Sequence, residues 1–371
     1  MDSKTDKKLI AIVGPTASGK TGLAVFLARK FGGEIVSADS RQVYRGLDIG
    51  TGKDLSEYTG VKYHLIDICQ PGEKFTLFNY LDRARKVVED IFSRGKLPVV
   101  VGGTGLYVQA LTQGFELEQN KKLKIKNDKS HPELDSGSPP TGEAVTNSRF
   151  RVKPGMTDYQ REELEKMSLL KLQVLAKKID STGYQKVDQN NPIRLIRLIE
   201  RAQSGERMSK KKPDFETLQI GINLSREELY QKIDQRVDEW FQDGIIEEIE
   251  GLITTGVDPK WLISLGLEYR IITNYILLTK ELKDSRAKER KTRCHCEESS
   301  TRQSISNGLP RFVKPLLAMT EKDDFDSMKQ DLKYKIHQYA RKQLTWFRRF
   351  PEIKWVKSKE EALEIVKEFV V

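Results

Sequence analysis

Eight consecutive residues, Gly14-Pro15-Thr16-Ala17-Ser18-Gly19-Lys20-Thr21, have the types and spacing of G-x-x-x-x-G-K-[ST], a loop that cradles phosphates. Such a loop turns backbone N–H groups inward, and the helix it opens adds partial positive charge. Lys20 adds a full charge, and the Thr21 hydroxyl can hold Mg²⁺. The spacing specifies a diphosphate or polyphosphate; it does not specify ATP. Farther on, Asp39 can take a proton from a nucleophile or help hold Mg²⁺. Alone, an Asp there reads more simply as a helix N-cap or turn residue. Gly102-Gly103-Thr104-Gly105 forms a second glycine turn, which would face Thr104 to the same crevice. Alone, it signals only close packing.

Chemistry of this kind needs elements that bring the three segments together. Lys8-Leu9-Ile10-Ala11-Ile12-Val13 is a short apolar, β-branched run that predicts a buried strand. Leu23, Val25, Phe26, Leu27 and Ala28 predict a helix closed by Gly32-Gly33. Glu34-Ile35-Val36-Ser37 and Leu97-Pro98-Val99-Val100-Val101 predict two further strands. Strand, turn and helix in succession predict an α/β fold, with Asp39 and Thr104 just past the carboxyl ends of parallel strands, where open sheets bind ligands.

Together these segments resemble the tRNA dimethylallyltransferase (tRNA isopentenyltransferase) family. The resemblance rests on GPTASGKT (14–21), ADSRQVYRGLDIGTGK (38–53), YHLID (63–67) and VVVGGTGLY (99–107). It continues through NNPIRLIRLIE (190–200), IDQRVDEWFQDGIIEEI (233–249), SLGLEYR (264–270) and HQYARKQLTWFRR (337–349). It implies a P-loop NTPase-like parallel sheet flanked by helices, a helical insertion domain and a C-terminal basic helix. It also implies transfer of a dimethylallyl group from dimethylallyl diphosphate to N6 of the adenosine 3′ of the anticodon in tRNA.

By resemblance, the P-loop residues Gly14, Pro15, Thr16, Ala17, Ser18, Gly19, Lys20 and Thr21 hold the prenyl diphosphate, with Mg²⁺ at Thr21 and Ser18. Asp39 is the general base, Thr104 orients the reacting groups and Arg236 reaches the diphosphate. Without the resemblance, Arg236 reads as a solvated helix arginine. An adenine in an anticodon loop must leave its stack to enter a crevice. Asp39, Ser40, Arg41, Gln42 and Thr104 are implied to meet it, with Gln42 reading its edge.

Arg194 and Arg197 stand at i, i+3 on a predicted helix and so share one face. They are implied tRNA contacts, although Ile193 stands where the family carries Gln or a basic residue. Residues 329–349 predict a helix with Lys329, Lys333, Lys335, Arg341, Lys342, Arg348 and Arg349 against one acid, Asp331. Tyr334, Tyr339, Trp346 and Phe347 are interleaved, a mixture that suits phosphate contacts and base stacking. Arg341 and Lys342 are the implied contacts, whereas Trp346 and Phe347 also fit a core face. The formal net charge of +10 supports a polyanionic partner without identifying it as RNA.

The 371 residues suffice for one main domain with insertions. The composition predicts no transmembrane run, no secretory leader and, with three cysteines, no disulfide framework. A cytoplasmic monomer is expected. The organisation reads as core over 1–115, a polar insertion over 116–157, a helical insertion over the active site at 158–190, core again over 191–282, a second polar insertion over 283–322, and a basic helix with its tail over 323–371. Both polar stretches lack sustained periodicity and read as disordered. Cys294-His295-Cys296 has no second ligand pair at zinc-site spacing. Residues 159–179 predict an amphipathic helix with Leu164, Met167, Leu170, Leu172, Val174 and Leu175 inward. The competing assignments are a P-loop small-molecule kinase or an adenylate isopentenyltransferase, both disfavoured by the basic blocks.

Overall fold

The structure, a computed structural model, describes residues 7–53, 55–118, 161–204, 207–296 and 321–371. Among these, the strands are β1 (Lys8–Val13), β2 (Glu34–Ser37), β3 (Tyr63–His64), β4 (Pro98–Gly102), β5 (Phe115–Glu118), β6 (Arg207–Lys210), β7 (Glu216–Ile222) and β8 (Ile353–Val356). The helices used below are α1 (Lys20–Phe31), α2 (Leu77–Ser93), α3 (Gly105–Thr112), α4 (Arg161–Glu165), α5 (Leu169–Ile179), α6 (Ser181–Lys186), α7 (Pro192–Ser204), α8 (Arg226–Gln242), α9 (Ile245–Thr254), α10 (Pro259–Ser264), α11 (Leu267–Cys296), α12 (Glu321–Phe347) and α13 (Lys359–Val370).

Two compact units are present, Met1–Gly114 with Lys212–Val371, and Phe115–Lys211. In the first, six strands form one sheet in the order β3-β2-β4-β1-β7-β8, and every pairing is parallel. Parallel strands need helical crossovers that cover both faces, which is why β1 and β4 read as unbroken apolar runs. From Leu9 to Val13 every residue of β1 is 0% exposed. Ile10, Ile12, Leu27, Ile35 and Val99 share one core cluster, each contributing roughly 1.5–3 kcal/mol by leaving water. Gly32 ends α1 in the left-handed region (φ 64°) with its N–H on Ala28 O, so the glycine pair closes the helix as expected.

Register places the ends of three strands together. Val13 of β1 stands opposite Gly102 of β4, and Val101 opposite Ser37 of β2. Gly102 is required there: a Cβ would lie 2.1 Å from Ala38 O. The P-loop, Asp39 and the Gly103-Thr104 turn therefore leave one edge of the sheet side by side.

The basic helix expected within 323–371 is present as α12, and the tail after it, for which no element is expected, is also structured. Residues 353–356 supply the sheet's edge strand β8, and α13 packs Ala362 and Val366 into the main core. Four residues are too few for periodicity to reveal a strand, and pairing with β7 decides it.

In the second unit, α7 buries Leu195, Ile196, Leu198 and Ile199 against Leu164, Leu172 and Ala176. α7 lies within the stretch 191–282 expected to belong to the core, but its apolar face packs with this unit. The expected helix over 159–179 is broken: Ser168 caps a fresh start by accepting the Lys171 N–H. Leu170 and Val174, expected inward, are 73% and 69% exposed. Leu164 and Leu172 face the core as expected, and Ala176, one turn on from Leu172, joins them where Leu170 and Val174 do not. β5 and β6 pair antiparallel, so residues 116–118, read within the polar insertion, form a strand. The second polar stretch is also helical at its start, since α11 runs to Cys296. Its Lys, Arg, Glu and Ala favour helix without any apolar stripe to announce it. The side chains of Cys294, His295 and Cys296, and the rest of both polar stretches, lie outside the described residues.

Candidate active site

The P-loop joins β1 to α1 with Ala17 and Gly19 in the left-handed region, at φ 59° and 81°. For Ala17 this backbone is strained, a state that persists only where its surroundings hold it. Gly19 is the N-cap of α1 and supplies no side-chain cap, whereas Ser225 of α8 and Thr76 of α2 close full capping boxes. The first N–H groups of α1 are thus left to a ligand, the arrangement that favours an anion.

The P-loop opens on a cavity of about 720 Å³ lined by Thr16, Lys20, Thr21, Asp39, Arg41 and Arg236, among others. Lys20 Nζ donates to Pro15 O at 3.1 Å. Burial, then Arg236, lowers its pKa to about 8, with Asp39 opposing. Arg236 comes from α8, which its Ser225–Glu228 capping box starts. Its guanidinium lies 5.3 Å from the Trp240 ring centroid, and Nη1 donates to Thr16 Oγ1 at 3.4 Å. Gly52 makes room for it: a Cβ there would come within 1.5 Å of Nη2. Burial also lowers the Arg236 pKa, with Glu268 opposing.

Asp39 follows β2, and its Oδ1 accepts the Arg41 N–H at 2.9 Å. Its carboxylate therefore caps a turn and lines the cavity at once. Arg41 forms an ion pair with Glu268, a residue only 2% exposed, and lies 6.0 Å from the Tyr339 ring centroid. Burial works against the Arg41 charge, but Glu268 and Asp39 reverse this and hold its pKa above normal. Gln42 also lines the cavity, with Oε1 accepting from Ser37 Oγ at 3.0 Å and Nε2 donating to Thr51 O at 3.3 Å.

Thr104 and Ser40 are brought together and hydrogen-bond to each other, and neither is among the residues that line the cavity. Thr104 Oγ1 accepts the Ser40 N–H at 3.1 Å. Arg341 and Lys342 are exposed on α12, and Arg194 and Arg197 are exposed on α7 in the other unit. Ile193, beside them, is 57% exposed.

Ser18 Oγ is buried and has no hydrogen-bond partner among the described residues. Thr21 hydrogen-bonds to Tyr58. Two hard hydroxyl oxygens in an anion-binding loop fit Mg²⁺ held jointly with a diphosphate. Among the described residues, no group of three His, Cys, Asp or Glu side chains forms a metal cluster.

Gln343, Ile336, Lys53 and Glu268 line the cavity as well, and no motif in the sequence gives them a role. Gln343, 8% exposed, accepts the Thr16 N–H at 2.9 Å and donates to Gly103 O at 2.9 Å, tying both glycine turns to α12. Ile336, Tyr339 and Gln343 line the cavity at helical spacing on α12, a stripe visible in the sequence once its direction is known. Lys53 reaches Asp48 at 2.8 Å and also pairs with Asp67, with its side chain fully buried. Glu268 and Lys53 stand in the quoted blocks, but no local pattern distinguishes them.

A family described as IPP transferase matches residues 42–350, and one described as Isopentenyl transferase matches residues 7–63. A tRNA dimethylallyltransferase 2 of Shewanella sediminis is 39% identical over 272 residues, covering 72% of this chain and 79% of that protein. A tRNA dimethylallyltransferase 1 of Parabacteroides distasonis is 34% identical over 366 residues, covering 94% and 92%. The crystal structure of a full-length tRNA isopentenylpyrophosphate transferase from Bacillus halodurans superposes with a TM-score of 0.55 at 28% identity, covering 98% of this chain and 95% of that one.

Proposed function

The chain belongs to the IPP transferase family, the family of the tRNA dimethylallyltransferases, and from that premise we propose that it transfers a dimethylallyl group from dimethylallyl diphosphate to N6 of the adenosine 3′ of the anticodon in tRNA. The observation that carries this reading is the convergence of the P-loop, Arg236 and Asp39 on one cavity. A diphosphate end and a proton-accepting end within one space are what amine prenylation requires.

The P-loop amides, Lys20 and Arg236 bind the diphosphate and face the charge that builds on it as the allylic C–O bond breaks. The bond's electron pair leaves with the diphosphate, and N6 forms the new bond to carbon. The N6 proton passes to Asp39. Ser18 and Thr21 would hold Mg²⁺, which supplies further neutralisation of the diphosphate. Holding both reactants in one cavity removes much of the entropic barrier. Thr104 acts through Ser40, fixing the loop that bears Asp39. Arg41 and Gln42 line the acceptor end, and Arg194, Arg197, Arg341 and Lys342 meet tRNA phosphates on the anticodon stem-loop.

Among the described residues no helix is long and apolar enough to cross a membrane. A cytoplasmic monomer is the state in which we expect the enzyme to act. The test is transfer of labelled dimethylallyl diphosphate to unmodified tRNA, with AMP and ATP as parallel substrates and Lys20→Ala as control. Label on tRNA, lost in the variant and abolished by chelating Mg²⁺, is the expected result. Turnover of AMP or ATP without labelled tRNA would replace this reading with a small-molecule one.

A further inference from the structure

The block SLGLEYR (264–270) has no role in the mechanism above, yet its Leu267 and Glu268 line the same cavity as Asp39. Gly266 and Leu267 both have positive φ, 84° and 38°. For a leucine this backbone is strained, and strain of this kind gathers where a chain is held for a purpose. The turn delivers Glu268 and Tyr269, which are 2% and 0% exposed.

These neighbours hold the two ends of one segment, residues 41–50. Tyr269 Oη donates to Glu248 Oε1 at 2.9 Å, and Glu248 Oε2 accepts the Asp48 and Ile49 N–H groups at 2.7 Å each. The Tyr269 ring lies against Gly50, where a Cβ would approach it within 2.9 Å. At the other end, Glu268 pairs with the Arg41 guanidinium.

Arg41 stands two residues from Asp39, and both line the same cavity. A guanidinium in a partly dry site seeks a carboxylate, and a two-pronged pair would occupy both oxygens. Asp39 Oδ1 already accepts the Arg41 N–H, so Oδ2 is the oxygen left for chemistry. Glu268 gives Arg41 a buried partner elsewhere.

We propose that Glu268 is a positioning residue that holds the Arg41 guanidinium off the Asp39 carboxylate, leaving Oδ2 to accept the proton of the acceptor amine. This rests on Asp39 being the base. As the N6–carbon bond forms and the carbon–oxygen bond breaks, the electron pair leaves on the diphosphate and the N6 proton goes to Oδ2. A guanidinium already paired there would compete with that proton.

The experiment is steady-state transfer from dimethylallyl diphosphate to unmodified tRNA by the full chain, comparing Glu268→Gln, Arg41→Gln and the double variant. Glu268→Gln should lower kcat about tenfold or more, with the KM for dimethylallyl diphosphate within about twofold. In the Arg41→Gln background the same change should cost nothing further, because no guanidinium remains to be held. An unchanged kcat in Glu268→Gln, a rise in KM alone, or an equal kcat loss in both backgrounds overturns the proposal. If Glu268→Gln alone melts early, the double variant carries no unpaired charge and still decides. Its kcat should equal that of Arg41→Gln, and a further loss overturns the proposal. Asp39→Ala is assayed alongside. Full turnover in that variant removes Asp39 as base, an outcome distinct from any result at Glu268.

Discussion

The two walls of the cavity are built on different plans. The phosphate wall is mostly local: residues 14–21 supply its turn, its N–H groups, its hydroxyls and Lys20, while Arg236 and Gln343 reach it from α8 and α12. The acceptor wall is assembled from distant parts, with Asp39 and Arg41 after β2, Glu268 at the start of α11, and Tyr339 on α12. Their electrostatics differ accordingly. Lys20 is half-buried with no carboxylate hydrogen-bonded to it, and desolvation lowers its pKa to about 8. Arg41 is half-buried and paired with the buried Glu268, and its pKa is held up. The lesson is that the loop is poised for a negative charge a substrate brings, whereas the acceptor wall neutralises its own.

The largest expected effect comes from Asp39, the proposed base. Asp39→Ala should cut kcat by about 10²–10⁴, the range for loss of a general base, while tRNA binding is retained. Single-turnover transfer beside a filter-binding isotherm checks this, and unchanged turnover would remove the acceptor wall from the chemistry.

Gln343 tests whether the phosphate wall is as local as it looks. Gln343→Ala leaves the Thr16 N–H and Gly103 O without their partner, at about 1–3 kcal/mol. A KM for dimethylallyl diphosphate raised about tenfold or more, with a lower melting temperature, would show that α12 braces the loop; an unchanged KM and melt would show the loop is self-sufficient.

Arg341 and Lys342 lie outside both walls. Reversing both to Glu should weaken tRNA binding about tenfold and flatten its salt dependence, because fewer counterions are released. The KM for dimethylallyl diphosphate should stay put. Unaltered affinity and salt slope would show that this face does not meet phosphates.

The smallest effect is in pH. A lysine lowered by burial is charged only below its folded value, so a diphosphate that needs the charge binds less well as pH rises through about 8. The kcat/KM for dimethylallyl diphosphate should fall over that range, and Lys20→Arg should remove the fall because a guanidinium keeps its proton. A limb unchanged in the variant would assign it to another group.

Much of this site is legible in the sequence for a physical reason. A P-loop is one continuous turn whose spacing is its geometry, and apolar runs such as residues 8–13 can only be buried strands beside it. The parallel sheet, the Gly32 stop of α1 and the exposed pair Arg194 and Arg197 are all properties of short segments. Segments without a period of their own went unseen: β8 needs β7 to be a strand, and the start of the second polar stretch is helical by propensity without a stripe.

Thr104 and Glu268 mark where sequence reasoning stops. The turn that bears Thr104 is plain in the chain, but its hydroxyl spends itself on the Ser40 N–H. Glu268 and Arg41 are separated by more than two hundred residues, and nothing in either segment announces the other. The amino-acid sequence by itself determined the phosphate loop, the strands that carry it and the charge of the chain, because each is fixed by neighbours along the backbone. Only the tertiary structure decided which charges pair, which helix braces the loop and which carboxylates line the cavity, because those depend on packing between segments that meet only when the sheet has formed.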